Sequence, residues 1–273
     1  MSLEAINKHG LVLLGCGKMG SAMLQGWLKN GIAPASVTII EPYPSDRLKE
    51  LQASGLRVNV DLPPNPAICI LAVKPQMMGE ALPQIKAFGN SATVFLSIAA
   101  GTPISTFESV LGSKTPIIRA MPNTPAAVGR GITALIGNSL VDDAAMALAE
   151  GLLQAVGQTV QLDNEDQMDA VTAVSGSGPA YVFHLIETLA AAGVAEGLPA
   201  GLAMQLAKAT VGGAGELAEQ SDEDPATLRV NVTSPGGTTA AALGVLMDGD
   251  RGFPALLREA VAAAANRSRE LRQ

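Results

Sequence analysis

Apolar residues follow two rhythms along this chain. Up to about residue 160 they come as short unbroken runs at 11–14, 37–40, 67–73, 92–98, 116–120 and 131–136. The first run is followed by a stretch with amphipathic helical spacing, 21–29. A strand buried on both faces has no polar side to show, so unbroken runs separated by helices predict a parallel sheet covered on both faces. Beyond about residue 165 the runs stop. Segments 180–195, 200–220, 238–247 and 254–271 carry helical apolar spacing, with Gly, Pro, Ser and Asp clusters between them. The pattern predicts an α/β fold class: a parallel-sheet domain over 1–164, then an all-helical domain over 165–273.

Composition narrows the classes. Hydrophobic residues make up 48% and charged residues 16%, which excludes a disordered chain. With 18 basic and 25 acidic side chains the net charge is −7, and no basic stripe is present to meet phosphates. No nucleic-acid partner is expected. No run of 18 or more apolar residues occurs, so no membrane span is expected. The start, MSLEAINKHG, is interrupted by Glu4, Asn7 and Lys8 and lacks a secretory core. Two cysteines cannot build a disulfide framework, which fits a reducing, cytoplasmic setting.

Aromatics are only 3%, whereas alanine occurs 44 times and thickens at 190–192, 240–242 and 262–265. Alanine buries little area, so such a core needs close helix packing or a partner chain. Residues 165–273 are therefore not expected to fold stably as a lone monomer.

The first run leads into Gly15-Cys16-Gly17-Lys18-Met19-Gly20, a G-x-G-x-x-G segment between strand and helix. Gly15 suits the tight turn, Gly17 the close approach of a pyrophosphate, and Gly20 the packing of helix on strand. The helix start would face the phosphates with unpaired N–H groups. Glu41 ends the second run, where a carboxylate can bind the ribose hydroxyls of NAD(H) and repel the 2′-phosphate of NADP(H). Arg47 and Lys49 lie just beyond and could offset that repulsion, so both cofactors stand.

The chemistry that is missing also informs. Carbonyl reduction calls for a proton donor, usually His, Lys or Tyr. His9 precedes the first strand and His184 lies inside a helix. Neither Tyr43 nor Tyr181 has a lysine four residues on. Cys16 and Cys69 read as small buried apolar residues, and no cluster has metal-ligand spacing. An iminium substrate already carries its proton on nitrogen and needs no such donor. It needs an orienting hydroxyl and a clamp for its anion. Two loops offer these, Ser175-Gly176-Ser177-Gly178-Pro179 and Asn231-Val232-Thr233-Ser234-Pro235-Gly236-Gly237-Thr238-Thr239. Helix capping accounts for one hydroxyl and one glycine, not for two dense loops; the second also places freed N–H groups at a helix start.

Those segments resemble the pyrroline-5-carboxylate reductase family, nearly end to end. The resemblance runs through 15–20, 72–75, 97–101, 119–125, 173–181 and 232–239. It implies reduction of the cyclic imine 1-pyrroline-5-carboxylate to L-proline with NAD(P)H, the last step of proline biosynthesis. It further implies a Rossmann-like dinucleotide-binding N-terminal domain and an all-α dimerisation domain, with a homodimer through the C-terminal helices that can assemble into a decamer. Cofactor contacts would fall on Gly15, Cys16, Gly17, Lys18, Met19 and Gly20, on Glu41, on Val73 and Lys74, and on Ala100 and Asn231. Ser234, Gly237 and Thr238 would hold the substrate carboxylate, Thr239 the ring nitrogen, and Glu165 would lie near the substrate. Family members often carry small hydroxyl residues at the second-strand end, where this chain has Glu41-Pro42-Tyr43-Pro44. The alternatives are another imine reductase, a β-hydroxyacid dehydrogenase, or a dinucleotide-binding protein without turnover. The hydroxyacid enzymes carry a lysine in the helix that here follows Pro179, and this helix has none.

Overall fold

The computed structural model describes residues 3–272 and divides the chain into two compact units, residues 1–176 with 265–273, and residues 177–264. Unit 1 is built on one sheet: β1 (Leu11–Leu14), β2 (Val37–Ile40), β3 (Arg57–Val58), β4 (Ile68–Leu71), β5 (Val94–Ser97), β6 (Ile117–Met121), β7 (Gly131–Gly137) and β8 (Gly157–Gln161). Their order is β3-β2-β1-β4-β5-β6-β7-β8. The first six are parallel in the doubly wound order, so a crevice opens at the C-terminal ends of β1 and β4, where the winding reverses.

The sheet is not parallel throughout. β7 runs antiparallel to β6, and β8 runs parallel to β7. Residues 122–130 between β6 and β7 are too few for a helical crossover, so the chain must turn back on itself. The sequence pattern also passes over β3, which is only two residues long, and β8, whose Gly157-Gln158-Thr159-Val160-Gln161 is an edge strand without an apolar run. Around the sheet lie α1 (Leu3–His9), α2 (Lys18–Lys29), α3 (Asp46–Gln52), α4 (Met78–Ile85), α5 (Ile104–Leu111) and α6 (Asp143–Leu153). The segment before β1 is thus helical, anchored by the fully buried Ile6.

Strand alternation splits the core in two. Leu11 and Leu13 of β1 join a cluster with Met23, Trp27, Leu148 and Leu152 of α2 and α6. Val12 and Leu14 join another with Leu82, Ile85, Phe107 and Leu111 of α4 and α5. The Trp27 indole N–H donates to the Leu152 carbonyl at 2.8 Å, satisfying the one polar atom of a buried ring.

Unit 1 also takes in α7 (Met168–Val171) and the end of α12 (Phe253–Glu270). The buried Asp169 explains why. Ser268 Oγ donates to its Oδ1 at 2.7 Å, and Arg272 Nη2 lies 2.5 Å from its Oδ2. A buried carboxylate needs such partners, so the tail returns to the sheet unit. The boundary expected after residue 164 consequently falls inside unit 1.

Unit 2 holds α8 (Gly178–Ala195), α9 (Ala200–Gln220), α10 (Pro225–Asn231), α11 (Thr238–Leu246) and α12 as far as residue 264. The sequence pattern reads 221–225 as punctuation and passes over α10. Asp224 Oδ1 accepts from the N–H groups of Ala226 and Thr227, with Pro225 in the first helical turn. What looks like an Asp-Pro turn is a capped helix start. The buried apolar cluster of this unit consists of Ala190, Ala203 and Ala207, flanked by the partly buried Ile186 and Met204. Larger apolar side chains lie outside, Phe183 and Leu217 at 57% exposure and Val245 at 72%.

Candidate functional site

The turn after β1 is shaped by its glycines. Gly15 has φ +85°, and a Cβ there would meet the Ala72 carbonyl at 2.8 Å and Val73 at 2.9 Å. Only glycine fits both the conformation and the space. A Cβ on Gly20 would come 2.5 Å from the Gly15 carbonyl, so this residue lets α2 close on the turn. Gly17 differs. A Cβ there meets nothing within 4 Å, and Gly17 caps α2 with no side-chain hydrogen bond. The result is an open helix start with free amides at the sheet's crevice, which fits a pyrophosphate group. Lys18 is exposed and Met19 half-buried in the first turn of α2.

Cys16 sits within this turn. It is half-buried rather than fully enclosed, and Ser21 Oγ donates to its carbonyl at 2.8 Å. Burial pushes the thiol pKa up; the Ser21 hydrogen bond pulls it down, and the Glu41 carboxylate adds to the rise. Cys69 in β4 is fully buried, and desolvation raises its pKa strongly. Neither thiol is set up as a nucleophile.

Glu41 reaches across to the same turn. Its Oε2 accepts the Cys16 N–H at 2.7 Å and its Oε1 the Tyr43 N–H at 3.0 Å. Its backbone is pinned by Asn59, whose Oδ1 accepts the Glu41 N–H at 2.9 Å and whose Nδ2 donates to the Glu41 carbonyl at 2.8 Å. Asn59 takes a left-handed φ of +53° to do this.

Val73 lies half-buried beyond β4, against Gly15, and Lys74 is exposed just before a short 3-10 turn, Pro75–Met77. Ala100 is half-buried beyond β5, and Gly101 follows with φ +73°. A Cβ on Gly101 would meet Leu271 at 3.1 Å, so the returning tail packs on this turn. Gly15, Cys16, Gly17, Glu41 and Val73 are thereby gathered at the ends of β1, β2 and β4.

Glu165 is fixed in unit 1. Its Oε1 accepts from Arg119 Nη1 at 2.8 Å and from the Ile104 N–H at the start of α5 at 3.0 Å. Arg119 is 1% exposed in β6, and Glu165 29%. The sequence reading missed Arg119. An arginine inside the apolar strand Ile117-Ile118-Arg119-Ala120 is itself the signal, because a buried guanidinium demands an anionic partner. Nearby, Asn123 Nδ2 donates to Ser175 Oγ at 3.3 Å, which ties the first of the two hydroxyl-rich loops to the end of β6.

The second loop lies in unit 2. Gly236 turns with φ +70°, and the Gly237 N–H returns to the Ser234 carbonyl at 3.0 Å. Gly237 caps α11 without a side-chain hydrogen bond, so the amides from Thr238 onward face outward uncapped. Ser234 and Thr238 are exposed and Thr239 half-buried. Asn231 ends α10 rather than standing in the loop, and its Nδ2 donates to Glu223 Oε2 at 2.9 Å. His184 is exposed on α8 beside Glu187. Among the described residues no cluster of His, Cys, Asp or Glu could hold a metal ion, and no helix is long and apolar enough to cross a membrane.

Comparison with known proteins meets both units. A family model described as pyrroline-5-carboxylate reductase dimerisation matches residues 165–271. One described as NADP oxidoreductase, coenzyme F420-dependent, matches residues 10–101. The chain is 40% identical to the pyrroline-5-carboxylate reductase of Synechocystis sp., with 96% of this chain and 97% of that protein aligned. It is similar in structure to a pyrroline-5-carboxylate reductase from Coxiella burnetii, with a TM-score of 0.89 and 33% identity, covering 97% of this chain and 99% of the other. A Plasmodium falciparum pyrroline carboxylate reductase with NADP bound follows at a TM-score of 0.82 and 31% identity, covering 97% and 98%.

Proposed function

The chain belongs to the pyrroline-5-carboxylate reductase family, and on that premise we propose which of its residues perform the reaction. The enzyme reduces the C=N bond of 1-pyrroline-5-carboxylate to give L-proline, the last step of proline biosynthesis. NAD(P)H supplies the hydride when bound.

In unit 1, Gly15 to Gly20 would hold the pyrophosphate at the open start of α2, and Glu41 the adenosine ribose. Val73, Lys74 and Ala100 would line the path toward the nicotinamide, with Asn231 as a further contact. In unit 2, the Ser234 hydroxyl and the uncapped amides of Thr238 and Thr239, with the Gly237 backbone beside them, would bind the substrate carboxylate. A helix N-terminus with free N–H groups suits that anion. The Thr239 hydroxyl would hydrogen-bond the ring nitrogen and orient the C=N carbon for hydride. Glu165, held by Arg119, would fix the polar surroundings of the substrate. No strong side-chain acid is required, since the iminium nitrogen brings its own proton; orientation and charge stabilisation carry the rate.

The apolar surface of α8 to α12 supports a homodimer through the C-terminal helices, with a decamer as the larger assembly. Cytoplasmic residence is supported by two free thiols and by the lack of a membrane-crossing helix among the described residues.

The observation that carries the reading is the uncapped, glycine-opened start of α2 at the sheet's switch point, in a chain aligned end to end with reductases. The test is loss of nicotinamide absorbance on addition of pyrroline-5-carboxylate, with NADH and NADPH in parallel. Proline formation with either cofactor is expected; its absence with both would overturn the reading. Ser234→Ala should raise the Michaelis constant for the pyrroline with little change in turnover, the signature of lost ground-state binding.

A further inference from the structure

We infer that this enzyme prefers NADH to NADPH, that the Glu41 carboxylate is the discriminating group, and that Asn59 is the residue that positions it. The inference rests on the reading of the β1–α2 turn as a dinucleotide site. Three observations carry it.

The first is the placement of Glu41. Its two oxygens accept amides from Cys16 inside the phosphate-binding turn and from Tyr43 beyond β2. A carboxylate accepts about four hydrogen bonds, so this one keeps lone pairs for ribose hydroxyls while its place is set by the backbone. A phosphate on the 2′ position would instead meet a fixed negative charge.

The second is the state of the neighbouring cations. Arg47 Nη1 lies 3.1 Å from Glu50 Oε2, and Lys49 Nζ lies 2.9 Å from Asp46 Oδ1. Arg57 Nη2 donates to the Asp61 carbonyl at 2.8 Å. Over residues 41–50 three carboxylates stand against two cations, and each cation has a carboxylate of its own. The charge left over is that of Glu41. The hydroxyl oxygen of Ser45, the only hydroxyl-bearing side chain of the 41–45 loop besides Tyr43, accepts the Leu48 N–H and caps α3. In the structure each of these groups is turned to a partner of its own, whereas Glu41 is fixed at the turn by backbone amides.

The third is the strain at Asn59. Its φ of +53° is a conformation that side chains rarely adopt. It allows one side chain to clamp both the N–H and the carbonyl of Glu41. A strained residue that grips the backbone of one specific side chain holds that side chain in register with the turn.

Calorimetric titration of the full chain with NADH and with NADPH, in the absence of substrate, tests this without relying on turnover. NADH should bind more tightly by about tenfold or more. Glu41→Ser should remove most of that ratio, chiefly by tightening NADPH. Asn59→Gly keeps the backbone conformation and drops only the clamp, so the ratio should fall partway while the unfolding temperature of the free protein changes little. NADPH binding as tight as NADH in the parent, or a ratio unmoved by Glu41→Ser, would overturn the preference. Binding of neither dinucleotide would remove the site reading, and the preference with it.

Discussion

The two units of this chain solve the problem of burial in opposite ways. In unit 1 the largest fully enclosed side chains include Trp27, Phe95, Phe107 and Arg119, and both faces of the sheet are covered. In unit 2 the buried apolar cluster is three alanines, while leucines, valines and Phe183 stand outside. On soluble proteins, large apolar surface of this kind marks a site of interaction where it is contiguous. One unit closes its own core; the other offers half of one. The family match over 165–271 as a dimerisation domain agrees with that contrast.

Charge placed on an exposed apolar residue of each unit probes the contrast most strongly. Leu206 on α9 is 47% exposed and Val160 on β8 is 44% exposed. On the homodimer proposed through the C-terminal helices, Leu206→Asp should dissociate the assembly and lower its stability by several kcal/mol, because the second copy would bury that carboxylate. Val160→Asp should stay within about 0.5 kcal/mol. Sedimentation and urea unfolding read both, and equal behaviour of the two variants would erase the distinction. Next in size, Phe107→Ala removes a fully buried ring from the core of unit 1 and should cost roughly 3–5 kcal/mol while leaving the oligomer intact. Dissociation of that variant at native concentration would mean that unit 1 is not self-sufficient. The smallest effect on stability, and the sharpest on chemistry, is Thr239→Ala. Turnover should drop by roughly one to three decades, the scale of one transition-state hydrogen bond, with NADH affinity unchanged. Full turnover would remove Thr239 from the reaction; a matching loss of NADH affinity would give Thr239 a cofactor role instead of the proposed substrate role.

The sequence was most readable where structure is local. The run 11–14, the glycine turn and α2 are contiguous, and each glycine's geometric demand is met within a few residues. Glu41 at the end of β2 was legible for the same reason. Partners distant along the chain were not. Asn59 meets Glu41 across 18 residues, Arg119 meets Glu165 across 46, and Ser268 meets Asp169 across 99. No periodicity encodes such pairings, although a polar residue in an apolar strand announces that one exists. The reversed direction of β7 could have been deduced from the short link before it, since a crossover needs more chain. The helix α10 was hidden because Asp-Pro opens turns and helices alike.

The return of the tail to Asp169 sets an order of events during synthesis. Strands β1 to β8 have all been made by residue 161, yet the buried carboxylate of Asp169 has no Ser268 until 99 further residues exist. At ordinary ribosomal speeds that interval lasts roughly 5–20 s. The whole of unit 2 is translated within it. The sheet unit, first begun, is therefore the one whose sealing must wait for the helical unit to be made. A ribosome stalled between residues 200 and 260 would hold a nascent sheet unit whose Asp169 still lacks Ser268 and Arg272.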